Sequence, residues 1–255
     1  MSPDDHLIGA NPSFLDLVRR TREAALPVFG EVPEGVPHGT TVLGLRFDGG
    51  VVVAGDRRAT AGNYIADDRM EKVFEADEHS AVAISGAAGQ AVEMVRLFQM
   101  ELEHYEKVTG DRLSLEGKAN RLAQMIRENF PMAMQGLVVV PLFAGFDARR
   151  DEGRLFRYDA TGGRWEDEQF HTTGSGSFAA RGSLKKGWRA GMDRDAAIRL
   201  AVESLKDAAE EDSATGGPSL SRNILPTVLV ITADGVEHPD DDEIRGVVES
   251  LLGDA

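Results

Sequence analysis

The residues whose types could support catalysis lie in short polar clusters beside apolar segments. In GDRRAT (55–60) the acid Asp56 precedes two arginines and a threonine, and Lys72 precedes the apolar start of the segment VFEAD. A single lysine at the start of a strand is usually solvated. If Lys72 were instead enclosed with Asp56, its ammonium would be a fixed positive charge beside any nearby nucleophile.

A second cluster, GSGSFA at 174–179, matches the pattern G-x-G-x-x-[GA] of dinucleotide-binding turns. That function requires a parallel strand–helix–strand unit with an acid about 20 residues downstream. The sequence predicts another helix at that position instead. A tight turn between a strand and a helix is therefore the favoured interpretation, and its two serines remain available for chemistry.

A third cluster, EEDSATGG at 210–217, ends a predicted helix in acids, hydroxyl residues and a glycine pair. Gly216 could simply supply the left-handed conformation that ends many helices. However, an acid at the C-terminus of a helix opposes the helix dipole. We therefore expect Asp212 to have a compensating hydrogen-bond partner.

The junction Gly39-Thr40 separates two kinds of sequence. Residues 26–39 contain three prolines and three glycines, which predicts an extended linker, whereas an apolar, β-branched segment begins at Thr40. The junction could mark a domain that starts late behind a flexible arm. Alternatively, the Gly39-Thr40 bond could itself be the functional feature.

Composition excludes several classes of function. The 255 residues are 42% hydrophobic, with no cysteine and a formal net charge of −15. This charge argues against nucleic-acid binding, and no apolar segment approaches the ~20 residues of a membrane span. The acidic N-terminus lacks the features of a secretory signal, so we expect a cytoplasmic protein. The six histidines lack ligand spacing, and we expect neither a metal nor a cofactor.

The elements that must position these clusters alternate between strands and helices. We predict a helix over 12–25, a hairpin of TTVLGLRFD and VVVAGD around Gly49-Gly50, and a second hairpin of residues 72–77 and 80–86. Two helices follow, whose apolar stripes are Val95, Phe98, Leu102 and Tyr105 in the first and Leu122, Met125, Ile126 and Phe130 in the second. Three strands come next: GLVVVPLFAGFD, RLFRYDA and WEDEQFHTTG. The last predicted elements are helices at 178–191 and 194–210, a hairpin TVLVITADGVEHP and a C-terminal helix.

Strands joined as hairpins imply antiparallel sheets, and paired helices between them imply outer layers. Asp193 is the predicted N-cap of the helix at 194–210. The predicted fold class is therefore α+β, with two stacked antiparallel sheets flanked by helices.

Taken together, the blocks Gly39-Thr40-Thr41, GDRRAT, EKVF, ISGAAG, GSGS and DSATGG resemble, in order and rough spacing, the β-type subunits of the 20S proteasome. ELEHYEK and MQGLVVVPLFAG are most similar to the actinobacterial type. The resemblance implies the four-layer αββα sandwich of the Ntn-hydrolases and a threonine endopeptidase. It also implies that residues 1–39 are a propeptide removed by self-cleavage and that residues 40–255 form the catalytic domain.

The resemblance assigns roles to individual residues. Thr40 would be the nucleophile and its free α-amine the general base, because cleavage of the Gly39-Thr40 bond exposes an amine whose ordinary pKa is about 7.7–8.0. Lys72 would lower the pKa of the hydroxyl, and Asp56 would keep Lys72 charged. The N–H of Gly86 would face the oxyanion. Three further residues would orient the amine: Ser175, Asp212 and Thr215, the last of which is Ser in some members of the family.

For the substrate, the resemblance implies that Thr60 pairs with its backbone by strand addition. The pocket for the side chain before the cut would be lined by Ala59, Met70, Phe74, Ile84, Ala88 and Val92. Its small and apolar walls predict a hydrophobic or broad preference. Ile84 and Val92 could equally be ordinary core residues.

The implied partners are α-type subunits, in a 28-mer of two α and two homo-heptameric β rings. A regulatory ATPase ring and substrates with a small ubiquitin-like tag are further expectations. A related ATP-dependent protease with paired six-membered rings is disfavoured because that family typically has almost no pro-segment. A catalytically silent ring subunit is disfavoured because Thr40, Lys72 and Asp56 are all present.

Overall fold

The computed structural model describes residues 39–253. The predicted helix over 12–25 and the linker up to residue 38 lie outside the described residues. The strands are β1 (Thr41–Phe47), β2 (Gly50–Gly55), β3 (Ala59–Ala61), β4 (Tyr64–Asp67), β5 (Val73–Asp77), β6 (Ser80–Ala83), β7 (Leu142–Asp147), β8 (Glu152–Tyr158), β9 (Arg164–Asp167), β10 (Phe170–Gly174), β11 (Thr227–Thr232) and β12 (Gly235–Glu237). The helices are α1 (Ala88–Thr109), α2 (Leu115–Glu128), α3 (Phe130–Ala133), α4 (Ser177–Gly187), α5 (Arg194–Glu211) and α6 (Asp241–Gly253).

The strands form two five-stranded sheets and a separate ribbon. The first sheet has the order β10-β1-β2-β11-β12 and the second has the order β5-β6-β7-β8-β9. Neighbouring strands are antiparallel in both. Strands β3 and β4 pair only with each other among the described strands.

Alternation along each strand assigns its side chains to two different cores, because successive residues point to opposite faces of a sheet. In β2, Val51 and Val53 belong to the core between the sheets, whereas Val52 and Ala54 pack against α4 and α5. In β6, Ala81 lies between the sheets and Val82 packs against α1 and α2.

Three apolar cores therefore separate four layers: helices α1 and α2, the second sheet, the first sheet, and helices α4 and α5. This arrangement confirms the predicted α+β class with two antiparallel sheets flanked by helices. The predicted N-cap of α5 is also confirmed, since the carboxylate of Asp193 accepts a hydrogen bond from the Ala196 N–H at 2.8 Å.

Several predicted boundaries were wrong. The first hairpin turns at Asp48 and Gly49, and Gly50 already pairs within β2. The segment 136–147 is a strand only from Leu142, because Pro141 has no N–H to donate to a ladder. The segment 165–174 was predicted as one strand, but it is divided between the sheets: β9 pairs with β8, and β10 pairs with β1.

Two predicted helices also differ. The helix predicted to reach residue 191 ends at Gly187, since Trp188 turns to an extended conformation and its indole N–H donates to the Arg46 carbonyl at 2.9 Å. The apolar stripe of α2 ends at Ile126. Phe130 instead begins the one-turn helix α3, which has Pro131 in its first turn. The Phe130 side chain is exposed. The ribbon of β3 and β4 was not predicted.

Candidate active site

Strand pairing brings the sequence clusters to one end of the first sheet. Strand β1 lies between β2 and β10 and is antiparallel to both, with Thr41 opposite Gly174 and Val42 opposite Gly55. The start of β1 therefore meets the ends of its two neighbours. This topology places Thr40 between the residue after β2, Asp56, and the residue after β10, Ser175.

A buried ion pair lies on one side of Thr40. The Lys72 Nζ lies 2.7 Å from Asp56 Oδ1, and Lys72 and Asp56 are both buried. Burial lowers the pKa of Lys72 below its ordinary value, because removal from water disfavours the ammonium, and the neighbouring Asp56 opposes this shift. Lys72 is therefore enclosed with Asp56 rather than solvated, which the sequence alone could not decide.

Backbone groups hold the Asp56 carboxylate in place. Its Oδ1 accepts from the Thr41 N–H at 2.8 Å, and its Oδ2 accepts from the N–H groups of Arg58 at 2.9 Å and Gly216 at 2.8 Å. Hydrogen bonds to an ionised acceptor are stronger than those between neutral groups. The three N–H donors thus fix the position of the Asp56 carboxylate.

The three protons of the Lys72 ammonium also have defined acceptors. Besides Asp56, they reach the carbonyl oxygens of Arg58 and Gly39, the latter at 3.2 Å. The Thr40 hydroxyl donates to the same Gly39 oxygen at 2.5 Å. In the uncleaved chain, the candidate nucleophile and the lysine therefore converge on the carbonyl of the predicted scissile bond.

A carboxylate with two hydroxyl donors lies on the other side of Thr40. Asp212 follows α5, and its Oδ2 accepts from the Ser175 and Thr215 hydroxyls, each at 2.6 Å. Partial burial opposes ionisation of Asp212, but the two hydroxyls and the Ala214 N–H outweigh it and lower the pKa of this carboxyl below its ordinary value. These donors are the hydrogen-bond partners that we expected Asp212 to need at the C-terminus of a helix.

Ser175 connects this carboxylate to Thr40. The Thr40 N–H donates to Ser175 Oγ at 3.4 Å, and the Ser175 N–H donates to the Thr40 carbonyl at 2.8 Å. The Thr215 hydroxyl contacts Asp212 and, at 2.6 Å, the hydroxyl of Thr41. These contacts connect Thr215 to Ser175 through the shared Asp212 carboxylate.

Gly86 lies on the loop between β6 and α1, with φ of +104°. A Cβ on this residue would lie 2.1 Å from the Val138 carbonyl oxygen, so only glycine fits. The bridge between Gly86 and Val139 uses the N–H groups of Ala87 and Val140. The N–H of Gly86 itself is therefore not consumed by this bridge.

The predicted substrate-binding residues differ in burial. Thr60 lies on the short strand β3 and is buried, as are Ala59 and Ile84. The remaining members of the predicted pocket are half-buried: Met70, Phe74, Ala88 and Val92. Phe74, Ile84 and Val92 pack in the helix-side core of the second sheet, so these three also have a structural role.

Gly39 packs tightly against this region. Its φ is +117°, and an added Cβ would lie 2.5 Å from Thr60 Oγ1 and 2.9 Å from Ala214 Cβ. Any larger residue at this position would have to shift either these neighbours or the backbone that carries the Gly39 carbonyl. The Pro/Gly-rich character of the preceding segment did not by itself predict this requirement.

Sequence reasoning missed two groups at the site. The Arg58 carbonyl accepts from Lys72, and Thr41 contacts both Asp56 and Thr215. The only signal for Thr41 was its position directly after Thr40. Within residues 39–253, no three His, Asp or Glu side chains converge as metal ligands, and none of the described helices has an apolar stretch that could cross a bilayer.

Comparison with known proteins gives consistent matches. Residues 36–219 match the family model for proteasome subunits. Three curated relatives, each called proteasome subunit beta, are 57% identical over 242 residues in Acidimicrobium ferrooxidans, 58% over 231 residues in Acidothermus cellulolyticus and 53% over 255 residues in Streptomyces griseus. These alignments cover 94%, 89% and 98% of this chain and 89%, 79% and 91% of the relatives.

Proposed function

This chain belongs to the proteasome subunit family and is a proteolytic β subunit of the 20S proteasome, and we propose that Thr40 is its nucleophile. Thr40 would act after cleavage of the Gly39-Thr40 bond, with residues 1–39 as the propeptide and 40–255 as the catalytic domain. The observation that carries the proposal is the position of Thr40 between two charged clusters. Lys72 and Asp56 lie on one side, and Ser175 and Asp212 on the other.

Self-cleavage is the first step of the proposed mechanism. The Thr40 hydroxyl adds to the Gly39 carbonyl carbon, and the Lys72 ammonium stabilises the negative charge that develops on the oxygen it already contacts. The proton lost by the hydroxyl passes to the Thr40 nitrogen, directly or through water, as the C–N bond breaks, and Gly39 is left on the Thr40 oxygen as an ester. Water hydrolyses this ester to a Gly39 carboxylate and the free Thr40 hydroxyl and amine.

The mature enzyme then repeats this chemistry on a substrate. A threonine hydroxyl is a weak nucleophile and requires an adjacent base. The new amine of Thr40, whose ordinary pKa is about 7.7–8.0, takes the hydroxyl proton directly or through water. Lys72 lowers the pKa of the hydroxyl, and Ser175 holds the amine because its own proton is donated to Asp212. Thr215 supports Asp212.

The substrate carbonyl is expected to face the Gly86 N–H. Such a preorganised donor contributes about 2.7–4 kcal/mol to transition-state stabilisation. The acyl group passes to the Thr40 oxygen, the amine half of the substrate leaves with a proton, and water releases the acyl half. Thr60 would pair with the substrate backbone, and the apolar pocket from Ala59 to Val92 would receive the preceding side chain.

As a proteasome β subunit, the chain assembles with α-type subunits into a barrel-like core. The finer organisation is part of the proposal: homo-heptameric β rings, a 28-mer with two α rings, and a regulatory ATPase ring that feeds the chamber through the α ring. Substrates carrying a small ubiquitin-like tag and a cytoplasmic location also belong to the proposal, as does the absence of nucleic-acid, membrane and cofactor binding.

Replacement of Thr40 tests the nucleophile directly. The chain is co-expressed with its α partner, and hydrolysis of a fluorogenic peptide is measured on the assembled particle. Thr40→Ala should keep its pro-segment and lose hydrolysis, whereas Thr40→Ser keeps a hydroxyl and should retain both processing and part of the activity. A Thr40→Ala particle that hydrolyses the peptide would refute the assignment.

A further inference from the structure

Thr41, the residue directly after the proposed nucleophile, contacts both charged clusters of the site. It is fully buried at the start of β1. Its main-chain N–H donates to Asp56 Oδ1 at 2.8 Å, the same oxygen that receives Lys72. Its hydroxyl lies 2.6 Å from Thr215 Oγ1, and Thr215 in turn donates to Asp212. One residue therefore joins the lysine side of the site to the carboxylate side.

The direction of the hydrogen bonds follows from the types of their members. The Gly176 N–H donates to Thr41 Oγ1 at 3.0 Å, and a backbone N–H can only donate. At the other end, the ionised Asp212 can only accept. The Thr41 proton must therefore go to Thr215, whose proton goes to Asp212 Oδ2. This gives a one-way chain from Gly176 through two hydroxyls to the carboxylate.

The chain of hydrogen bonds also fixes the turn that carries Ser175. Gly176 is the N-cap of α4 and directly follows Ser175. A Cβ on Gly176 would lie 2.5 Å from Thr41 Oγ1 and 2.7 Å from Thr215 Oγ1, so the turn packs directly on the two hydroxyls. A change in the Thr41 side chain would therefore move Ser175 as well as Asp212.

We propose that Thr41 is a positioning residue for the reaction. Its hydroxyl orients Thr215 and the Ser175-Gly176 turn, and through them Asp212, so that Ser175 is held against the Thr40 amine. The proposal rests on the proposed function of Thr40. It goes beyond that function because Thr41 itself touches neither the substrate nor the reacting atoms.

Thr41→Val is the most informative variant, because valine keeps the shape, the strand preference and the main-chain N–H to Asp56 but removes the hydroxyl. Hydrolysis of a fluorogenic peptide by the assembled particle should show kcat reduced about tenfold, with KM within twofold of the parent. Thr41→Ser keeps the hydroxyl and should restore kcat to within about threefold. A parental kcat in Thr41→Val, or no recovery in Thr41→Ser, would overturn the proposal.

Thr172→Val is the matched control. Thr172 is also buried on the first sheet, and its hydroxyl donates to the Val42 carbonyl at 3.0 Å, away from Asp56 and Asp212. This variant should keep its kcat. Equal losses in Thr41→Val and Thr172→Val would mean that any buried hydroxyl in the sheet matters, which contradicts a positioning role.

Two further experiments cover a Thr41→Val variant that fails to be processed or to assemble. If Thr41→Val is not processed, the subunit is produced as a fusion that an added protease cuts before Thr40. If valine prevents assembly, Thr41→Ala removes the same hydroxyl with less bulk and should show the same loss of kcat. The result is separable from the proposed function: activity in Thr40→Ala refutes the nucleophile, whereas an inactive Thr40→Ala with fully active Thr41 variants refutes only the role of Thr41.

Discussion

Lys72 Nζ lies 2.7 Å from Asp56 Oδ1, and the two side chains are 1% and 0% exposed. A charge buried to this degree needs its partner, because desolvation without compensation costs several kcal/mol. The same lysine contacts the Gly39 carbonyl at the bond expected to be cut. Under the proposed mechanism, stability and catalysis both depend on this ion pair, and experiment can separate the two effects.

Lys72→Met should reduce both the free energy of unfolding and kcat. Loss of the ammonium leaves Asp56 as an uncompensated buried charge, which costs about 3–5 kcal/mol of unfolding free energy. Because the positive charge beside Thr40 is also lost, kcat should fall at least ~100-fold. Thermal unfolding and peptide hydrolysis are measured on the same particle.

Lys118→Met is the control, because the buried Lys118 forms an ion pair with the half-buried Asp77 in another part of the chain. This variant should lose stability and keep the kcat of each assembled particle. If Lys72→Met kept its kcat, the proposed role of the lysine would be wrong.

Asp56→Asn should change the pH dependence of catalysis. Burial lowers the pKa of Lys72 and the Asp56 carboxylate opposes this, so its removal lowers the pKa further. Lysine loses its proton as the pH rises. The alkaline limb of the kcat/KM profile should therefore move to lower pH. Asp77→Asn, at the ion pair with Lys118, should leave the limb in place. An unmoved limb in Asp56→Asn would contradict this role of the carboxylate.

Ser175→Ala should remove the acceptor that holds the Thr40 amine and one donor to Asp212. We expect kcat to fall about 10- to 100-fold with KM nearly unchanged, because the substrate-binding residues are not altered. Steady-state kinetics on a peptide substrate measures both constants.

Ser183→Ala is its control on the helix that follows Ser175, since Ser183 on α4 donates to Asp207 in a second serine–aspartate pair. That variant should retain the parental kcat. A change confined to KM in Ser175→Ala would mean that Ser175 binds substrate rather than positioning the amine.

Gly39→Ala should slow self-cleavage by at least about tenfold. The Cβ would meet Thr60 Oγ1 at 2.5 Å, and alanine disfavours a φ of +117°. Intact-mass analysis of the β chain over time measures the rate. Gly49→Ala, at φ of +96° with open space around the added Cβ, is the control and should be processed normally. Normal processing of Gly39→Ala would show that the close packing at Gly39 is not needed.

Much of the fold could be predicted because the spacing of apolar residues along a strand or a helix indicates which side chains are buried. Val51 to Ala54 have the pattern of a strand between two cores, and β2 lies between two cores. The division of residues 165–174 between two sheets could not be predicted in this way, because both halves have strand-like composition. Only the pairing of β10 with β1 and of β9 with β8 separates them.

The candidate site was also predictable only in part. Asp56 and Lys72 could be selected because charged residues beside strands are conspicuous, although their enclosure depends on the packing of the two sheets. Thr41 could not be recognised, because a threonine at the start of a strand is common. Its importance comes from the direction of its hydrogen bonds to Gly176 and Thr215, which only the folded backbone defines.

If Thr40 is the nucleophile and its amine the base, the catalytic chain must begin at Thr40. The sharpest check is the intact mass of the β chain taken from a purified particle that hydrolyses peptides, with the N-terminal residue identified by sequencing. We predict one major species that starts at Thr40 with a free amine. An active particle whose β chains still begin at Met1, or at any residue other than Thr40, would rule out this mechanism.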